Sequence, residues 1–174
     1  MDVVDICDKL FILENFNKYC EDFNVKDGDI EIKLSRNESF LLEDFFRHVN
    51  ETLLQSYFAI NSYNDVAMGS YISFGPAMLL KDNQHLRWFC EIGARIKWNL
   101  STGKLLLNPK DQKNLYGLIR FMEIEYDDLL AYQKTWESKN LKFWEAFIGL
   151  GFVKPRGLNG RECLSQLKQK LIEG

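Results

Sequence analysis

Histidine, proline and cysteine are all scarce in this chain of 174 residues, which has two His, three Pro and four Cys. His48 and His85 stand far from each other and from any nucleophile motif, so neither His–Cys nor His–carboxylate catalysis has a sequence signature. Cys7, Cys20, Cys90 and Cys163 form no CxxC pair, which removes zinc-ribbon and thioredoxin-like readings and predicts buried, reduced thiols with no metal ligand set among them. No apolar run approaches the roughly 18 residues a membrane helix needs, and the opening MDVVDICDKL is acidic where a signal peptide is basic. These features predict a cytoplasmic protein without a membrane anchor. The three N-x-S/T sequons at Asn37, Asn50 and Asn99 carry little weight without a leader.

What is present is core material and uneven charge. Hydrophobic residues make up 46% and aromatics 14% of the chain, which predicts one compact domain over residues 1–174. The net charge of −3 hides an asymmetry: residues 1–65 hold fourteen Asp or Glu against six Lys or Arg, and residues 66–174 hold eleven against sixteen. An acidic first third suits a basic partner, because complementary fields steer encounter and fix register.

Periodicity predicts a mainly α (α+β) fold of about five helices with a small antiparallel hairpin or sheet. Val3, Ile6, Leu10, Leu13 and Phe16 imply a helix over 2–22, with Asp2 placed to cap it. Alternation of Ile30, Ile32 and Leu34 with Asp29, Glu31 and Lys33 implies a strand within 27–34. Ser35 and Glu38 have capping-box spacing ahead of a helix over 38–60, whose stripe is Leu42, Phe46, Val49, Leu53 and Tyr57 and whose opposite row is Glu43, Arg47 and Glu51. The Gly-Pro break in residues 70–80 implies a turn or short strand, and a helix fits 84–93. Ile96, Trp98 and Leu100, then a Gly-containing turn over 101–104, then Leu105 and Leu107, read as a hairpin. Asn108, Pro109 and Asp111 start a long helix through Leu115, Leu118, Met122, Tyr126, Leu129, Gln133 and Trp136, with a kink expected. LKFWEAFIGLGF implies a shorter buried helix. A last one follows Asn159 through Cys163, Leu164, Leu167 and Leu171.

Four constellations invite a functional reading. In DGDIEIKLSRNE, Asp27, Asp29, Glu31, Lys33, Ser35 and Glu38 take the spacing of a calcium loop, but Ile32 stands where that loop needs Gly, and a strand with one charged face gives the same alternation. The His and Cys residues give no thiol–base pair. The basic, aromatic stretch containing Lys139, Lys142, Phe143, Trp144, Lys154, Arg156, Arg161, Lys168 and Lys170 could in principle meet nucleic acid, yet its rings fall at core spacing and the chain is acidic, so no direct nucleic-acid contact is expected. The fourth is the set of acids on helices: Asp2, Asp5 and Asp8; Glu43, Asp44 and Glu51; Glu123, Glu125, Asp127 and Asp128. Scattered acids also serve solubility. The functional alternative is an acidic face that fills a basic cleft, with Tyr126 or Tyr132 as an exposed anchor.

In general make-up, and in stretches such as MEIEYDDLLAYQ and LLEDFFRHVNETLL, the chain resembles a bacterial immunity protein of a polymorphic toxin or contact-dependent growth inhibition system. The resemblance implies a non-catalytic inhibitor that binds one cognate toxin, typically a basic nuclease domain, and occludes its site, with no cofactor. Glu43, Asp44, Glu51, Glu123, Tyr126, Asp127 and Asp128 are the expected partner-binding residues. Two other classes remain open from sequence: an adaptor or regulatory binding domain of phage or mobile-element origin, and an enzyme whose site assembles only in three dimensions.

Overall fold

The computed structural model describes residues 5, 6, 9, 17–48, 84–99, 101–139 and 160–174, with only the backbone described at several helix ends. Most of the expected 2–22 helix, the continuation of the second helix beyond His48, the turn at 70–80 and the LKFWEAFIGLGF helix lie outside these residues.

In chain order come strand β1 (Ile30–Lys33), helices α1 (Arg36–His48) and α2 (Gln84–Trp98), strand β2 (Lys104–Leu107), and helices α3 (Pro109–Ile124), α4 (Tyr126–Lys139) and α5 (Gly160–Glu173). The architecture is mostly helical with one small antiparallel sheet. None of the described helices is long and apolar enough to cross a membrane.

The sheet differs from the expected hairpin. Residues 96–98 are the last turn of α2, and β2 pairs instead with β1, Ile30 opposite Leu107 and Lys33 opposite Lys104. The alternation of Ile96, Trp98 and Leu100 was ambiguous between periods. Ile92 and Ile96, four residues apart, are the buried pair, while Trp98 stands 84% exposed, which is a helical pattern. Gly93 lets α2 close onto α1: a Cβ there would lie 3.1 Å from Cδ1 of Phe46. The Phe46 and Phe89 rings meet at 4.4 Å between centroids, and Phe45 stands edge-on to Phe89. Such ring pairs contribute about 0.5–1.5 kcal/mol each beyond their buried area.

Each strand runs straight into a helix through the same local device. Ser35 caps α1: its backbone N–H donates to Glu38 Oε1 at 2.7 Å, and its Oγ accepts from the Glu38 N–H at 3.1 Å. Asn108 caps α3 in the same reciprocal way with Asp111, and Pro109 follows it at the first helical position. The capping box expected at Ser35 and Glu38 is therefore present, and Asn108, expected only as a cap, forms a second box with Asp111. Each box carboxylate also meets a cation from a distant helix, and that cation covers an outward carbonyl of the nearby strand. Arg95 of α2 pairs with Asp111 and donates to Leu106 O at 3.2 Å, while Lys170 of α5 pairs with Glu38 and donates to Lys33 O at 2.8 Å. Both free edges of the ribbon are thus blunted against a further strand.

The long third helix breaks at Glu125, whose N–H still donates to Phe121 O before α4 sets off. Leu115, Leu118, Met122, Tyr126 and Leu129 all lie buried across the break, as the stripe requires. Helix α5 packs on α3 and α1 through Cys163, Leu164, Leu167 and Leu171.

Candidate protein-binding surface

Charge counting along the sequence cannot see which carboxylates are already paired, and here pairing decides. On the kink between α3 and α4, Glu123 sits 3.1 Å from Lys168 and 3.9 Å from Arg120, Glu125 takes Lys9 at 2.6 Å, and Asp127 takes Arg161 at 2.6 Å. The Glu125 hydrogen bond raises the Lys9 ammonium's pKa against the opposing cost of burial. Two bases of α5, Arg161 and Lys168, thus neutralise Asp127 and Glu123. Asp128 remains exposed.

Tyr126 is a correction to the expected exposed anchor. It is 8% exposed, with the Arg161 guanidinium 4.2 Å over its ring. Burial pushes its phenol up, and Arg161 opposes that shift. Asp44 is a second correction, being only 3% exposed and so unable to present its carboxylate on a surface. Glu43 is half-buried on α1, Asp5 is exposed, and Glu51, Asp2 and Asp8 lie outside the described residues.

The acidic surface the structure does offer is the segment leading into β1. Glu21, Asp22, Asp27, Asp29 and Glu31 are all exposed. Asp22 accepts from the Tyr116 hydroxyl at 3.3 Å, and the other four have no ion-pair partner among the described residues. The one cation within the segment, Lys26, is turned away from them: its Nζ donates to the carbonyls of Leu171 and Ile172 at 2.8 and 2.6 Å. That contact serves the end of α5, where unsatisfied carbonyls and the helix dipole favour a cation.

The segment is also held in place. Phe23 stacks on Tyr116 at 4.5 Å between centroids. Gln112, fully buried on α3, accepts from the Lys26 N–H at 3.0 Å and donates to Gly28 O at 2.9 Å and Leu107 O at 3.3 Å. One side chain thus ties the loop, β2 and α3 together. Val25 lies exposed among the acids, and Ile172, also exposed, lies at the Lys26 contact. Rigid placement lowers the ordering cost of binding, and an apolar side chain within a charged rim is the composition of a protein contact. Sequence reasoning weighed Asp27, Asp29 and Glu31 as calcium-loop positions or the charged face of a strand, and not as a partner surface. The available signal was five acids and one lysine between residues 21 and 31.

Catalytic chemistry finds little support among the described residues. No group of three or more His, Cys, Asp or Glu there could hold a metal. The calcium spacing is realised as a strand whose Glu31 and Lys33 are exposed, while Glu38 is spent on its capping box. Cys20 and Cys163 are buried free thiols, as expected. Burial, then the nearby Glu38, pushes Cys163 up to about 11, the wrong direction for a nucleophile. His48 and His85 lie on α1 and α2, and their side chains, like that of Cys90, are outside the described residues. Searches against protein-family models, curated proteins and solved structures gave no match to the chain.

Proposed function

We propose that this chain is a non-catalytic inhibitor of the immunity type, acting in the cytoplasm, which binds a basic domain of a cognate toxin, such as a nuclease, through the acidic segment 21–31. The observation that supports it best is that Lys26 leaves the segment's carboxylates for the end of α5, so the acids await a cation from outside. A pinned, unneutralised acidic strip can occupy a phosphate-binding cleft by matching its charge. Glu123, Glu125 and Asp127, already paired within the chain, play a supporting part at most, and Asp128 on α4 and Glu43 on α1 stay as second contacts.

The test is a pull-down with the chain as bait, washed at roughly 0.15 M and then 1 M salt, where the screening length shrinks from about 8 to about 3 Å. A single stoichiometric basic partner released by salt is expected. Asp27→Lys, Asp29→Lys and Glu31→Lys together are expected to weaken that partner's binding about tenfold or more with the circular dichroism unchanged. Equal binding by the triple variant would remove the loop from the contact.

One observation favours a second reading, an adaptor that grips through apolar groups. Trp98 at 84% and Leu106 at 56% are large exposed side chains, and Trp is a residue type that dominates interface energies. In that case the captured partner resists the salt wash and is lost in Trp98→Ala.

A further inference from the structure

Where the turn after α2 meets the first turns of α1 there is a cavity of about 440 Å³, bounded by Leu34, Arg36, Ser39 and Phe40 on one side and residues 101–103 on the other. That volume lies within the range of small-molecule sites.

Its walls are fixed without a ligand. The Leu34 N–H donates to Gly103 O, and the Gly103 N–H donates to Asn99 O. The Thr102 hydroxyl donates to Asn99 O at 3.1 Å and accepts from the Lys104 N–H at 3.3 Å. Gly103 takes φ +67°, and a Cβ on it would stand 2.7 Å from Leu34 O, so only glycine closes this wall.

Two polar groups line the cavity without an ion pair or side-chain hydrogen bond to another described residue. Arg36 is exposed, lies 5.7 Å over the Phe40 ring and has no carboxylate partner among the described residues. It stands at the first position of α1, the positive end of the helix dipole, where a cation is locally disfavoured and an anion favoured. Ser39, one turn on, is only 6% exposed, and its hydroxyl makes no hydrogen bond to another described residue. Phe40 and Leu34 supply an apolar surface beside them.

We propose that this cavity binds a small organic anion built on a flat ring, the ring against Phe40 and Leu34, and the carboxylate or phosphate taken by Arg36 with the Ser39 hydroxyl donating to it. The guanidinium fork suits a carboxylate or phosphate in two-point contact. This site is separate from the acidic segment and asks for a ligand of the opposite charge, so it stands whether or not the toxin-binding reading holds.

The experiment is a titration of the intact chain, followed by amide chemical shifts, with indole-3-carboxylate, adenosine monophosphate and inorganic phosphate as probes. One of the two ring-bearing anions is expected to shift the amides of Leu34, Arg36, Ser39 and Gly103, and which of them does so separates carboxylate from phosphate. Inorganic phosphate is expected to bind at least about tenfold more weakly, for want of the ring. Arg36→Gln, on an exposed side chain, is expected to weaken the ring anion about tenfold, and Ser39→Ala a few-fold. The proposal fails if neither ring anion moves these amides at millimolar concentration. It fails equally if Arg36→Gln binds like the parent, or if phosphate alone binds as tightly.

Discussion

Glu38 and Asp111 occupy the same place in two copies of one local device, the third position of a helix that follows directly on a strand, yet their surroundings differ. Asp111 uses both oxygens fully: Oδ1 accepts from Trp88 Nε1 at 2.9 Å and Arg95 Nη2 at 2.8 Å, and Oδ2 accepts from Arg95 Nη1 at 2.9 Å and the Asn108 N–H at 3.2 Å. Glu38 is 0% exposed, but only Oε1 is engaged, by Lys170 and the Ser35 N–H, while Oε2 is buried without a partner. The cation makes the difference. An arginine presents a planar fork that satisfies two oxygens, and a lysine presents one point of charge. The capping box is a local matter. How well a buried carboxylate is satisfied is decided by the residue a distant helix brings to it.

The largest break in this comparison is expected from Asp111→Ala. It leaves the Trp88 N–H inside without its acceptor and α3 without its box, at a cost of about 3 kcal/mol, read as a lower urea midpoint. Lys170→Met comes next, at about 2 kcal/mol, because it strands a fully buried carboxylate on one backbone N–H. Glu38→Gln is expected to cost about 1 kcal/mol or less, since glutamine can keep the capping contact and removes a charge whose second oxygen was unused. A Glu38→Gln loss as large as that of Asp111→Ala would erase the asymmetry.

The acid limb of stability sharpens the same contrast with the smallest signal. Burial raises the Asp111 carboxyl, but the hydrogen bonds from Arg95, Trp88 and Asn108 and the Arg95 charge outweigh it, and its pKa ends below the usual value. A folded pKa below the unfolded one means that the stabilisation is whole above the unfolded value of about 3.9 and is lost as pH falls through the folded value. Asp111→Asn should therefore be less stable than the parent at pH 7, with the gap narrowing below about pH 4. A gap that stays constant down to pH 2 would mean that Asp111 does not titrate differently in the folded chain.

Features set by neighbours in sequence were legible. The Ser35–Glu38 capping box, the helix start at Asn108, Pro109 and Asp111, the alternation at Ile30 and Ile32, and the α5 stripe through Cys163, Leu164, Leu167 and Leu171 are properties of short windows. The α2 boundary was not, because Ile96 and Trp98 satisfy a period of two as readily as a helix, and only burial shows that Ile92 and Ile96 belong together. Strand pairing was not legible either, since the nearest alternating segment to β2 in sequence was not its partner in space. The candidate surface was half legible: the acidity of the first third is plain in composition. Which acids are free depends on where Lys9, Lys26, Arg161 and Lys168 point, and no window of sequence holds that information.

The register between β1 and β2 has a consequence for how the molecule is made. Residues 34–103 must be synthesised before β1 can meet its partner, roughly 4–14 s at ordinary elongation rates. Contacts this distant form late and slow a domain's folding. The acidic segment waits longer still, because Lys26 docks on carbonyls of Leu171 and Ile172. The acidic segment is thus synthesised well before the contacts that fix it.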